Sequence, residues 1–100
     1  MGRFSGTDGV GLLWYRREDY TRLLTVMLDA RDLPASFENW QERAQEAVAF
    51  VESEGGKPIR VEADIDKIIN YCLIRGLRLD AEGRNMFASD PANWPASSKH

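Results

Sequence analysis

The side chains that most often carry protein chemistry are scarce in this sequence. It holds one cysteine, Cys72, and one histidine, His100, which is the last residue and therefore at a position where chains are usually frayed. A zinc site takes four cysteine, histidine or carboxylate ligands, or three and a water molecule. Nucleophilic catalysis by cysteine or serine needs a positioned base. These counts predict no metal site and no histidine-based catalysis, and Cys72 is predicted to pack in the core.

Carboxylates and a pair of glycines are the remaining candidates for chemistry. Glu38, Glu42 and Glu46 recur every four residues, and such a row on a helix is typical of a solvated face. Gly9 and Gly11 have the spacing that begins a dinucleotide-binding fingerprint, but the residues that follow break it, and no phosphate-binding GK[ST] sequence is present. The sequence therefore predicts a non-enzymatic protein that needs no cofactor.

Aromatic and basic side chains adjoin at residues 14–17. This run has the composition of a stacking surface for an acidic partner or a nucleobase, or of a strand with one inward ring and solvated arginines. Trp94 stands between prolines without periodic context, and the sequence leaves open whether it docks on its own domain, docks on a partner or is disordered. With two outward residues of a second predicted strand, these form the candidate interaction surface. Its members are Trp14, Tyr15, Arg16, Arg17, Arg60, Glu62 and Trp94.

Length and charge restrict the class of protein. The 100 residues are 43% hydrophobic and 29% charged, with a formal net charge of -3, which predicts a single folded domain. No apolar run reaches the roughly 18 residues that cross a bilayer, and the N-terminus lacks the pattern of a signal peptide. We therefore expect a cytoplasmic protein of bacterial type with no membrane partner. The negative charge also disfavours nucleic acid as a partner.

The first half of the chain predicts one strand and two helices. Residues 1–11 hold four glycines and are predicted to be a flexible lead-in, and 12–16 favours a strand. Asp19 is the predicted N-cap of the first helix, whose last turn takes Arg31. Ser36 is the predicted N-cap of the second helix. The apolar face of the first helix comprises Tyr20, Leu23, Leu24, Met27 and Leu28.

The second half repeats this order. Residues 58–63 alternate in hydropathy and predict a strand. Asp64 and Asp80 are predicted to cap a third and a fourth helix, and Gly76 to end the third. The fold class is therefore α+β and mostly helical, in the order β-α-α-β-α-α, with a small two-stranded sheet and four amphipathic helices. Residues 12–90 form the domain and 91–100 a tail. The apolar face of the third helix comprises Ile65, Ile68, Ile69, Cys72 and Leu73.

The two halves correspond at an offset of 45 residues, which aligns Asp19 with Asp64 and Leu23 with Ile68. A duplicated strand-helix-helix unit would produce this match. Helical periodicity alone would also produce most of it, so the sequence leaves both explanations open.

Three hypotheses of function follow from these elements. The first is an interaction module that binds itself as a homodimer, and possibly another protein, through an exposed strand edge and apolar helix faces. In the second, the strand-helix-helix order from Ile59 to Ser89 resembles the ribbon-helix-helix family, which implies an antiparallel ribbon that reads DNA. The third is a small-molecule site or enzyme built from carboxylates, tyrosines and arginines. The first is the preferred hypothesis.

Overall fold

The α+β fold class and the predicted element order are confirmed by a computed structural model, which describes residues 9–62 and 64–95. Three-residue 3-10 turns, Ala30–Asp32 and Pro91–Asn93, follow the first and the last helix. The two strands are β1 (Gly9–Trp14) and β2 (Lys57–Glu62). The four helices are α1 (Arg17–Val26), α2 (Phe37–Ser53), α3 (Ile65–Arg75) and α4 (Ala81–Ser89).

The sheet consists of β1 and β2 paired in parallel. Parallel strands need a crossover connection, and here α1 and α2 provide it. The register places Gly11 beside Ile59 and Leu12 beside Arg60. Because side chains alternate along a strand, Gly9, Gly11 and Ile59 point to one face of the sheet, toward the C-terminal end of α4.

Three of the predicted helix caps are present. The side chain of Ser36 accepts a hydrogen bond from the backbone N–H of Asn39, and Asp64 and Asp80 accept equivalent bonds at α3 and α4. Gly76 ends α3 in the left-handed conformation, with φ of 68°. These interactions satisfy backbone groups that have no hydrogen-bond partner at the ends of a helix. The residue types at these positions were therefore sufficient to predict the helix ends.

The first helix differs from its prediction at both ends. Its N-cap residue is Arg16, and Asp19 lies in the first turn, where it accepts a hydrogen bond from Arg16 Nε at 2.8 Å. The helix ends at Val26, so Arg31 belongs to the 3-10 turn. The backbone N–H of Leu28 donates to the carbonyl of Leu79 at 2.7 Å, which turns the chain away from the helical path. The Leu28 side chain is consequently exposed.

Regular structure extends beyond residues 12–90 at both ends of the described chain. β1 begins at Gly9, so residues 9–11 of the predicted flexible lead-in belong to the sheet. Residues 91–95 of the predicted tail form a 3-10 turn and bring Trp94 onto the core. Residues 1–8, Ala63 and residues 96–100 lie outside the described part of the chain.

One hydrophobic core joins the helices to the sheet. On α3 the buried residues are Ile65, Ile68 and Cys72. Leu73, which was predicted to belong to the apolar face of this helix, is 75% exposed. The buried face of α3 is therefore narrower than the hydropathy pattern indicated. The core cluster comprises Tyr15, Tyr20, Leu23, Met27, Trp40, Ile59, Val61, Ile65, Ile68, Cys72 and Phe87.

The internal repeat has two different offsets in the structure. Lys57 lies beside Gly9 in the sheet, and α3 begins at Ile65 where α1 begins at Arg17. Both pairs are separated by three residues more than the offset of 45, so the strands and helix starts of the two halves do not correspond at that offset. Burial still matches at 45, because Leu23 and its counterpart Ile68 are both fully buried. The helices that follow differ in length, with 17 residues in α2 and 9 in α4. The likeness is therefore one of element order and apolar spacing.

Candidate interaction surface

The carboxyl ends of both strands meet the start of α1 and α3 at an open cleft of about 260 Å³. It is lined by Trp14, Arg16, Glu62, Asp64 and Lys67. Ligands of parallel sheets commonly bind beyond this end of the strands. Two of the lining groups are basic and two are acidic, so the cleft does not favour a strongly charged ligand.

Trp14 is the aromatic centre of this region. Its ring meets that of Trp40 edge-on at 5.5 Å, and the guanidinium of Arg60 lies over it at 4.3 Å. Such a cation–π contact contributes about 0.5–1 kcal/mol at an exposed site. The structure thus gathers four residues of the candidate surface, Trp14, Arg16, Arg60 and Glu62, at or beside the carboxyl end of the sheet.

Tyr15 lies apart from that surface, because it is buried and only 5% exposed. It is close to Arg84, which is 7% exposed and forms two hydrogen bonds with Asp29, at 2.6 and 2.8 Å. A buried bidentate pair of this kind depends on both partners, because removing one leaves an uncompensated charge. The Arg84–Asp29 pair connects α4 to the turn that follows α1.

The electrostatics of this cluster follow from burial and pairing. The hydrogen bond from Arg84 holds the pKa of Asp29 below its ordinary value. Burial raises the pKa of Tyr15 well above its ordinary value, although the charge of Arg84 acts in the opposite direction. Both groups are therefore fixed in one protonation state near neutral pH, which is typical of a structural cluster.

Arg17 and Trp94 are also separated from the cleft. Arg17 pairs with Glu38 and lies over the ring of Phe37 at 4.8 Å. Trp94 lies on the sheet face that carries Gly9 and Gly11. Its ring is 2.9 Å from the position that a Cβ atom at Gly9 would take. Of its two predicted docking modes, the structure shows docking on its own domain.

The outer edges of the two strands, meaning the sides that face away from each other, differ in exposure and composition. No backbone hydrogen bond between described residues reaches either outer edge. All six residues of β1 are half-buried, whereas β2 alternates between buried and exposed positions. β1 carries no charged residue and no proline, while β2 carries Lys57, Pro58, Arg60 and Glu62.

Several large apolar side chains remain exposed elsewhere. Leu73 and Ile74 are neighbours on α3 and are 75% and 74% exposed. The others are Leu28, Phe50 and Met86. All of these residues except Leu28, which follows the end of α1, lie on helices, and Leu73 with Ile74 forms the most exposed pair.

Sequence reasoning missed three structural residues. Arg84 gave no sign of burial, because arginine on a short helix is ordinarily solvated. A Cβ atom at Gly11 would lie 1.8 Å from the Ala88 carbonyl oxygen. One at Gly83 would lie 2.2 Å from the carbonyl oxygen of Arg78. The broken GxG pattern and the isolated helical glycine were the available signals, since both mark close approaches of backbone.

Comparison of the chain with protein-family models, curated proteins and solved structures found no match. Across residues 9–62 and 64–95, no helix has the length and apolar character needed to cross a membrane. The same residues contain no group of three or more histidine, cysteine or acidic side chains placed to hold a metal ion.

Proposed function

We propose that this protein is a non-enzymatic interaction module that associates with a second copy of itself through the outer edge of β1. The observation that carries the proposal is the contrast between the two edges. Natural sheets protect their edges with charged residues, prolines or covering segments. β2 has charges and Pro58, and β1 has neither.

A second copy suits this edge because β1 is neutral. In an antiparallel pairing of two identical strands, a residue at or next to the two-fold axis lies opposite or diagonal to its own copy, so a charge there meets a like charge, which is destabilising. The β1 sequence GVGLLW avoids that penalty. A pair of β2 strands would instead bring Pro58 into the new ladder, where proline has no N–H to donate.

The geometry of the pairing follows from symmetry. A two-fold axis perpendicular to the sheet makes neighbouring β1 strands antiparallel and keeps corresponding faces on the same side. Directly opposite residues then share a face, and the two registers with the longest overlap of β1 (Gly9–Trp14) place either Gly11 opposite Gly11 or Leu12 opposite Leu12. In both registers Leu13 lies opposite a glycine. The product is a four-stranded sheet in the order β2-β1-β1-β2.

The exposed apolar helix faces supply a secondary contribution. Six-residue strands alone form a small interface, and interfaces well below 1,000 Å² bind weakly. Leu73 and Ile74 on α3 add exposed apolar area, which favours association without fixing its direction. We therefore expect a reversible homodimer in the micromolar range.

Sedimentation equilibrium tests the proposal with a matched pair of variants. Within one chain, Leu12→Glu places a carboxylate beside Arg60 on β2, and the opposite charges attract. In the dimer, the same carboxylate lies near its own copy on the neighbouring β1, and the like charges repel. Leu12→Val keeps the edge neutral. We expect the wild type and Leu12→Val to approach twice the chain mass, and Leu12→Glu to associate at least about tenfold more weakly.

Two results would contradict the proposal. One is a wild-type chain that remains monomeric up to about 1 mM, the range in which even weak strand pairing would be populated. The other is a folded Leu12→Glu variant that associates as tightly as the wild type. The nucleic-acid alternative gains no support from the fold. β1 and β2 pair in parallel within one chain, whereas the ribbon of the ribbon-helix-helix family is antiparallel.

A further inference from the structure

A short C-terminal segment lies across the strand that forms the proposed docking edge. Residues 90–95, which we name the C-terminal clasp, follow α4 and contain the 3-10 turn Pro91–Asn93. The Asp90 carboxylate caps this turn by accepting a hydrogen bond from the Ala92 N–H at 3.0 Å. It also accepts one from the Tyr71 hydroxyl at 3.0 Å. The start of the clasp is thus fixed to α3.

Two further side chains fix the clasp to the end of α4. The amide of Asn93 donates to the Phe87 carbonyl at 2.9 Å, and the indole N–H of Trp94 donates to the Ala88 carbonyl at 2.7 Å. Carbonyls in the last turn of a helix lack intrahelical donors. The Trp94 indole supplies a donor to the Ala88 carbonyl, and the Asn93 amide adds a second donor to the Phe87 carbonyl, which also accepts the Asp90 N–H at 3.4 Å.

The Trp94 ring then covers the glycines of β1. Ring atoms lie 2.9 Å from the position of a Cβ atom at Gly9, and the indole nitrogen lies 2.8 Å from that position at Gly11. Any larger residue at Gly9 or Gly11 would meet the ring or the helix end. The two glycines therefore create the seat that the tryptophan occupies.

This seat has a consequence for the order of β1. Glycine loses more conformational freedom on folding than any other residue, and two of the six residues in β1 are glycine. Without side chains at those positions, packing on that face comes from Trp94 and the end of α4. Strand segments with few apolar contacts open locally at low free energy.

We propose that the C-terminal clasp regulates the docking edge of β1, because a docked Trp94 holds the strand in the conformation that pairs with a second copy. This inference rests on the proposed function. When Trp94 leaves its seat, the glycine-containing half of β1 frays and the edge is lost. By linkage, pairing of β1 also strengthens docking of the clasp by the same factor.

Hydrogen exchange on the monomer separates the clasp from the association. We compare the wild type with Trp94→Ala, Trp94→Phe and a control, Asn70→Ala, which truncates an exposed polar side chain on α3. At concentrations below association, β1 amides should exchange at least about tenfold faster in Trp94→Ala, with α2 amides unchanged. Trp94→Phe should be intermediate, because it keeps a ring and loses the N–H, and Asn70→Ala should match the wild type.

Association of the same variants completes the test. Trp94→Ala should associate at least about tenfold more weakly than the wild type, with Trp94→Phe between them. Unchanged exchange in β1, or faster exchange with unchanged association, would overturn the inference. A monomeric wild type overturns the proposed function and the regulatory role together, whereas exchange on that monomer still decides whether the clasp holds β1.

Discussion

β1 and β2 have equal length and lie in one sheet, yet their side chains are arranged in opposite ways. β2 alternates sharply, with Ile59 and Val61 buried and charged residues exposed between them. β1 is apolar throughout and half-buried throughout. The alternating side chains of β2 therefore define a buried and an exposed face. β1 lacks this alternation and is packed by segments distant in sequence, namely α4 and the clasp.

This difference indicates a division of roles between the two strands. The charges and the proline of β2 discourage pairing at its outer edge, so the sheet does not extend in that direction. β1 has no such protection, and its glycines admit Trp94 on one face. An assembly with one closed edge and one open edge stops at two copies, because each copy offers a single pairing surface.

The largest expected effect comes from filling the glycine seat of β1. A Cβ atom in Gly11→Ala would lie 1.8 Å from the Ala88 carbonyl oxygen and 2.8 Å from the Trp94 indole nitrogen. Backbone has to move to relieve this contact, so we expect a loss of about 4 kcal/mol or more in unfolding free energy. Urea denaturation followed by circular dichroism measures it.

Gly76→Ala is the matched glycine control. Gly76 has a positive φ of 68° but open space around it, so the substitution should cost only about 1–2 kcal/mol through backbone strain. Equal losses for the two variants would contradict the close packing of β1 against α4.

The second effect concerns how the two strands end. β1 leads into buried Tyr15 beside the Arg84–Asp29 pair, while β2 ends at exposed Glu62. Asp29→Asn leaves the buried Arg84 without its counter-charge and should lower the unfolding free energy by about 3–5 kcal/mol. Glu62→Gln should change it by less than about 0.5 kcal/mol. Parallel urea titrations at pH 7 give both values, and a small Asp29→Asn effect would contradict the role of the pair.

The same pair predicts a pH dependence. The pKa of Asp29 in the folded chain is held below its ordinary value of 3.8 by the hydrogen bond from Arg84. Its stabilisation is therefore complete above the unfolded pKa and is lost as pH falls through the folded pKa. The stability gap between the wild type and Asp29→Asn should narrow below about pH 4. A gap that stays constant down to pH 2.5 would contradict this explanation.

Removing the protection of β2 should affect stability less than the Gly11 and Asp29 substitutions do. The double variant Pro58→Val, Arg60→Thr restores a backbone donor and removes a charge, at a cost of about 0.5–1 kcal/mol for the lost Arg60–Trp14 contact. With both edges open, light scattering should show assemblies larger than two copies. Lys57→Arg keeps the charge and should stay at two. A double variant that also stays at two would break the proposed division of roles.

Local signals explain what the sequence could predict. Helices begin at the N-caps Ser36, Asp64 and Asp80 and one ends at Gly76, in each case through hydrogen bonds within a few residues. The type and spacing of these residues were therefore sufficient to predict them. Burial of Cys72 followed from the helical period. Arg16 as the cap residue of α1 was missed because it makes no side-chain capping bond, whereas Asp19 is the better capping residue type.

Long-range packing explains what was missed. Gly9 and Gly11 suggested flexibility, but contact with Trp94, far along the chain, orders them in a strand. The buried Arg84 depends on Asp29, which is equally distant in sequence. Of the residues predicted for the interaction surface, Trp14, Arg16, Arg60 and Glu62 lie at or beside the carboxyl end of the sheet, while the other members lie elsewhere.

The most direct test of the account is nuclear magnetic resonance on a mixed sample of isotope-labelled and unlabelled chains, with filtering for contacts between copies. Opposed residues of antiparallel strands come within about 4.5–5.5 Å between Cα atoms, and in the closer, non-hydrogen-bonded pairs the α-protons lie in contact range, while side chains of both kinds of pair are neighbours. We predict inter-copy contacts within β1, either Val10 with Leu12 or Gly11 with Leu13. Inter-copy contacts that involve β2 instead, or none in a sample shown to be associated, would contradict the claim that β1 is the docking edge.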